Sequence, residues 1–346
     1  MKQSKGRKLF LYSALGIFLT GVILFLAGYT MGGRLGIYID DKTIHTAEGV
    51  FDRKTKKRVE NPEGGIAYSQ PKMEVEPFTE FDIKLKDADL EIIPSDGYYL
   101  QYELNDLKAP VYGAEDGVFT FLQGKNQEKS FNGQSYYLWI GKEGLGWKEE
   151  QKKECVKLYL PKDAVIERAT VWEDDGDLTA GAIHMKDLDV NLGYGGNFTL
   201  DSWEGDALDV YLKSGDFQVN GGLHGAQSCR IESSHGNFAG GELTAPEASV
   251  TLENGSMSLG KAARDMVLTA EVQYGVTLGL EGKLDDYNFF LEAQRGELQV
   301  PWAENELIFR DDSTGRESVN RQDNAELAGK IRVTSRQGKI IVRENQ

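Results

Sequence analysis

Two cysteines, four histidines and eight prolines in 346 residues already exclude several architectures. A disulfide scaffold needs more cysteine than this. Cys229 falls among inward-facing apolar residues. Cys155 lies on the opposite strand face from Val156, Leu158 and Leu160, so a bond between the two is not expected. No Ser nucleophile elbow, P-loop, dinucleotide fingerprint or EF-hand loop occurs. Outside the first forty residues there is no long amphipathic pattern of helical period.

Charge is missing altogether from Leu9 to Met31. Twenty-three residues at about 1.5 Å each suffice to cross a hydrocarbon core of ~30 Å. Lys2, Lys5, Arg7 and Lys8 precede the run, whereas Asp40 and Asp41 follow Arg34. That bias predicts a single-pass anchor over 9–31, a cytoplasmic tail over 1–8 and everything later outside the cell. A cleaved signal peptide fits less well, because the apolar run is long and Leu26-Ala27-Gly28 is a poor cleavage site. No cysteine follows that would take a lipid anchor.

Basic residues are scarce beyond the anchor. Five of the 39 Lys and Arg lie at or before Arg34, and all 55 Asp and Glu lie beyond it, leaving the remainder acidic by 21. Such a surface repels nucleic acid, which is excluded as a partner. It also disfavours anionic lipid or wall polymer unless a divalent cation bridges them.

What the chain has instead is a repeat. Gly176, Gly196, Gly215, Gly236, Gly255, Gly275, Gly296 and Gly338 are separated by 20, 19, 21, 19, 20, 21 and 42 residues, the last being two steps of 21. Before each glycine, positions −7, −5 and −3 are mostly apolar, as in Leu208, Val210, Leu212 or Ala248, Val250, Leu252. After it, +2 and +4 are apolar, as in Phe217 and Val219 or Ile340 and Val342. Period two on both sides means two half-buried strands per ~20 residues, joined at a glycine corner. The expected fold is an all-β solenoid in which each coil closes the edge of its neighbour. Two irregularities stand out. Gly195-Gly196 carries an extra residue, and after Gly275 the apolar residues come one position early.

The expected organisation is a linker or stalk over 32–73 and a solenoid over 74–346, with insertions at about 123–154 and 301–328. Polar residues 301–328 occupy the place of the coil missing between Gly296 and Gly338. The first insertion holds Phe131, Tyr136, Tyr137, Trp139 and Trp147 around an Asn132-Gly133 turn, a pattern for a long hairpin. Tyr136, Tyr137, Trp139 and Trp147 are the candidate partner-binding residues, able to stack on sugar rings or anchor a protein. The same rings would equally serve as a cap on one end of the stack.

Chemistry is otherwise thin. Trp172-Glu173-Asp174-Asp175-Gly176-Asp177 is the densest acid cluster and offers an acid/base pair, yet Asp beside Gly suits a solvated turn equally well. His184 and His224 share nearly the same coil position with a whole coil between them, too far apart at roughly 9–10 Å to share zinc. No catalytic residue, cofactor or metal ligand is assigned.

The order of parts carries a resemblance. Phe78-Thr79-Glu80-Phe81-Asp82-Ile83, Ala88-Asp89-Leu90-Glu91-Ile92-Ile93-Pro94-Ser95-Asp96-Gly97, Val156-Lys157-Leu158-Tyr159-Leu160-Pro161 and the recurring Gly-Asp/Asn-Phe coils follow one another. Over about 74–346 this resembles the bacterial family of unknown function described as a putative adhesin. The resemblance implies a surface β-solenoid tethered by one membrane helix, sometimes encoded beside envelope-stress proteins. It supplies no site residues. The function expected is a non-enzymatic binding scaffold at the cell membrane, with a cell-envelope protein or glycan as partner. A wall-polysaccharide enzyme and a structural partner of a membrane complex are the alternatives.

Overall fold

The computed structural model describes residues 66–106, 109–124, 154–301, 308–321 and 327–345, the strand segments 38–39, 43–46, 49–52, 137–141 and 144–148, and residues 20–21. All but two residues of the 9–31 run lie outside this set. Among the described residues no helix is long and apolar enough to cross a membrane. The chain divides into two compact units, one of residues 1–65 with 127–152 and one of 66–126 with 153–346. In the first, Tyr38–Ile39, Thr43–Thr46 and Gly49–Asp52 form an antiparallel meander, and Tyr137–Gly141 pairs with Gly144–Lys148 as a short hairpin. Both of its strands follow Asn132-Gly133, so the turn is not the one expected from the sequence, and Asn132-Gly133 itself lies outside the described residues.

The second unit is the solenoid, built of rungs. Each rung is a strand on a first face, a corner, and a strand on a second face. The first-face strands stack in the order Val118–Leu122, Glu80–Leu85, Val165–Glu173, 187–192, 207–212, 228–233, Glu247–Leu252, Val267–Val272, Lys330–Ser335 and Asn288–Ala293, all parallel. The second-face strands stack in the matching order, from Cys155–Pro161 and Asp89–Ser95 to Val276–Glu281, Ile340–Asn345 and Leu298–Gln299. Inward residues alternate with outward ones, and Leu188, Val190, Leu192, Leu208, Val210 and Leu212 are all buried.

The corners explain the glycine period. A Cβ on Gly236 would lie 1.7 Å from the carbonyl oxygen of Gly215, and one on Gly255 would lie 1.8 Å from that of Gly236. Successive backbones touch here, so these positions admit only hydrogen at Cα; Gly275 is the exception, with its nearest neighbour, the Lys339 carbonyl oxygen, 3.4 Å from such a Cβ. Corner length absorbs the two irregularities. The usual corner has four residues, as at 253–256, while 193–197 has five and 273–275 has three. Val276 therefore still pairs with Met257.

Beside the glycines runs a ladder of Asp and Asn. The side-chain oxygen of Asp177 accepts from the backbone N–H (2.9 Å) and Nδ2 (3.0 Å) of Asn197. Asn197 Oδ1 accepts from the N–H of Asp216, Asp216 from Asn237, and Asn237 from Ser256. Just inside, Phe198, Phe217 and Phe238 stack with centroids 4.7 and 5.4 Å apart. The recurring Gly-Asp/Asn-Phe triplet is thus one close approach, one rung-to-rung hydrogen bond and one core ring. Asp216→Ala leaves the Asn237 N–H and Nδ2 without this acceptor. On an exposed corner we expect a loss of about 1 kcal/mol, measurable by chemical denaturation.

The ends depart from a simple spiral. The C-terminal rung, Lys330–Asn345, is not last in the stack. It lies between the rung of Val267–Glu281 and that of Asn288–Gln299. Residues 301–328 therefore do not stand in for a missing coil. Their strand Arg316–Arg321 pairs antiparallel with Asn288–Ala293 and closes the end, with Phe309–Asp311 outside it. The other end repeats the device. The rung of Glu80–Ser95 lies between one formed by Val118–Leu122 with Cys155–Pro161 and one formed by Val165–Glu173 with 178–180. There, Val111–Glu115 and Tyr99–Asp106 are the antiparallel closing strands. Ile66–Glu74, expected as linker, pairs with Tyr99–Asp106 and belongs to this cap.

Candidate functional site

The predicted aromatic candidates lie in the 127–152 segment, which belongs to the first of the two units. Tyr136 is outside the described residues. Tyr137 is in register with Lys148, Trp139 with Gly146, and Trp147 with Leu138, so none of the three stands directly opposite another. The end of the solenoid is closed by strands 99–106, 66–74 and 111–115 as just described.

The histidines resolve simply. His184 and His224 are both in register with Glu204, with one rung between them, as their sequence positions implied. Cys155 and Cys229 are both free thiols. Burial pushes the Cys229 thiol up to about 12, so it is an inert core group. Among the described residues no three His, Cys, Asp or Glu side chains stand together at metal-ligand spacing.

The surface feature that sequence reasoning missed is on the first face. An open groove of about 820 Å³ crosses six adjacent strands from Val165–Glu173 to Val267–Val272. At about 4.8 Å per strand it is roughly 24 Å long. Its floor is a column of outward residues in register: Thr170, Asp189, Asp209, Arg230, Ser249 and Thr269. A second column adds Arg168, Asp187 and Glu247. Four acids against two arginines leave the groove mildly acidic. On the same face, Trp172 (49% exposed) and Tyr211 (37% exposed) flank Asn191 in the next outward column. The signal was present in the sequence. Outward residues sit at −6 from each glycine, or −7 where the Gly196 corner is longer.

Within the groove Asp189 and Asp209 are paired across neighbouring strands, and Arg230 is paired with Asp209. Asp209 holds its proton more tightly than an ordinary carboxyl, chiefly through desolvation. Asp189 and Glu232 add to the effect and Arg230 opposes it.

The acid cluster at 172–177 splits in two. Trp172 points outward, while Glu173 points into the core at a position where the adjacent rungs have Leu85 and Leu192. The turn reading therefore fails for Glu173. Its exposure is 0%, and neither carboxylate oxygen has a hydrogen-bond partner. Burial, reinforced by Asp89, Asp177, Asp175 and Asp87, pushes its carboxyl up to about 9. The carboxylate fills the space a side chain at Gly176 would take. A Cβ there would lie 1.9 Å from Glu173 Oε1 and 2.7 Å from the Ala88 carbonyl oxygen.

These features define a capped parallel β-solenoid with a polar groove along one face. The chain belongs to the Toastrack DUF4097 family, whose profile matches residues 78–343, in agreement with the resemblance read from the sequence. Several crystal structures are similar to it. One is of a putative adhesin from Bacteroides fragilis (12% identity, covering 81% of this chain and 97% of that one, TM-score 0.43). A second is of a putative lipid binding protein from Parabacteroides distasonis (13% identity, 79% and 96%, TM-score 0.29). A third is of a putative cell adhesion protein from Clostridium sporogenes (9% identity, 81% and 100%, TM-score 0.20). No curated protein matches the chain.

Proposed function

We propose that this protein is a non-enzymatic binding scaffold held at the outer face of the cell membrane by residues 9–31, and that its groove receives an extended glycan of the cell envelope. The groove carries the proposal. It is long, open and crossed by regularly spaced hydroxyls and carboxylates, with two exposed aromatic rings on its flank. Aromatic faces stack on sugar rings, and evenly placed polar groups suit a polymer with a repeating hydroxyl pattern. The uncharged 9–31 run and its basic flank support the anchor.

The test is a glycan array probed with the full chain in detergent, followed by titration of any hit. Trp172→Ala and Asp209→Asn, both on the surface, are each expected to weaken binding at least tenfold without lowering Tm. Absence of any bound glycan, or equal binding by both variants, would remove the glycan reading.

A hydrolase is favoured by one observation only. Asp189 and Asp209 are cross-strand neighbours, and strand spacing of about 4.8 Å approaches the ~5–5.5 Å of a retaining carboxylate pair. Release of reducing ends from a bound glycan, lost in Asp209→Asn, would decide for it.

A further inference from the structure

Among the described residues Glu173 is the one buried carboxylate whose oxygens both lack hydrogen-bond partners, and its location is specific. It does not face a random part of the interior. It lies beneath the corner where the Glu80–Ser95 rung meets the next one. At that corner the chain places Asp87 and Asp89 on one rung and Asp175 and Asp177 on the other. All four raise the cost of charging Glu173. The Ala88 carbonyl oxygen lies on the other side of Gly176.

The arrangement is built at the expense of packing. Leucine occupies the equivalent site on both adjacent rungs, so an apolar side chain would fit the column. Gly176 leaves empty the volume into which Oε1 projects. The hydrogen bonds at the corner are made by other groups. Asp89 accepts from the Asp177 N–H (3.1 Å), Asp177 from Asn197, and Asp87 from Gln123 Nε2 (2.9 Å). None of these reaches Glu173.

We propose that this corner is a divalent-cation site of the calcium class, with the Glu173 carboxylate as its inner ligand and the corner aspartates Asp89, Asp177, Asp175 and Asp87 closing over the ion. The donor set is all hard oxygen and strongly anionic, which suits calcium and its tolerance of irregular geometry better than magnesium. The outer acids are on the corner and reach the ion by side-chain rotation, because no three carboxylates stand at ligand spacing beforehand. A cation here ties two rungs together at the point where the chain has skipped from one to the other out of sequence.

The experiment uses the full chain in detergent after chelator treatment, with Ca²⁺, Mg²⁺ and Tb³⁺ as probes. Calcium is expected to raise Tm by several degrees, with magnesium at the same concentration doing clearly less. Terbium is expected to show luminescence sensitised by the neighbouring Trp172. Glu173→Gln, nearly isosteric, abolishes both effects, and Asp175→Asn weakens calcium at least tenfold. Should Glu173→Gln fail to fold, Asp175→Asn decides. A wild-type protein indifferent to 10 mM-range calcium, on the order used for weak extracellular sites, overturns the proposal. So does an equal calcium response in wild type and variants, which would mark diffuse binding to an acidic surface.

Discussion

Glu173→Leu, in chelator, is expected to stabilise the protein by about 3 kcal/mol at pH 7 and about 6 kcal/mol at pH 9. The figures follow from a carboxyl held at about 9 in the folded chain against an ordinary value of 4.5. The direction can be worked out from proton binding. Between those two values the folded state keeps a proton that the unfolded state gives up, so stability falls as pH rises. Below the lower value both states are protonated and the group costs nothing electrostatically. Above the upper value both are charged and the full penalty of a buried, unpaired carboxylate is present. Leucine removes the titration and continues the column of Leu85 and Leu192. Thermal or urea unfolding at pH 5, 7 and 9 measures it. The wild type should lose stability steadily across this series relative to the variant. A leucine variant no more stable than wild type at pH 9 would show that the carboxylate is satisfied in a way the structure lacks. A residue that costs this much in the fold is where function is to be sought.

Deleting residues 330–346 is expected to abolish the folded state of the C-terminal half, not to trim one coil from it. In a simple spiral the last coil has one neighbour, and its removal exposes one rung. Here Lys330–Ser335 pairs on one side with Val267–Val272 and on the other with Asn288–Ala293. Ile340–Asn345 does the same for Val276–Glu281 and Leu298–Gln299. Removing it opens two edges at once and strips out Ile331, Val333, Ile340 and Val342, each buried and each contributing ~1.5–3 kcal/mol. The terminal rung and its closing strand Arg316–Arg321 then have no stack to rest upon. Limited proteolysis and circular dichroism test this. Cleavage spreading through 267–321 is the expected result, and a truncated chain with near-native Tm would refute it.

The inward residues were legible because their period is fixed by the pleat. Leu208, Val210 and Leu212 read as core from alternation alone, and so did Phe217 and Val219. The same parity, applied to Gly176, places Glu173 inside. The density of acids around it suggested a solvated turn instead, and local composition outweighed register. Asp189, Asp209 and Arg230 were equally available as the outward set, but no single outward residue is unusual. Only their alignment across strands makes a groove. The order of stacking was not legible at all. Every rung offers the same backbone edge and nearly the same apolar triplet, so periodicity says that coils stack but not which one adjoins which. Gly338, at two steps from Gly296, looked like the next coil but one and is in fact its direct neighbour.

The intercalated C-terminal rung also sets a condition on assembly. A chain made from its N-terminus presents the Val267–Glu281 and Asn288–Gln299 rungs before the piece that separates them exists. They cannot settle against each other without excluding it, because the native pairing leaves a slot one strand wide between them. The closing piece is thus made after both of the rungs it separates, and its pairing with Val267–Glu281 bridges long sequence separations, the kind of contact that forms slowly. The stack behaves less like a zipper, which could shut behind the ribosome, than like an arch that stays open until its keystone arrives.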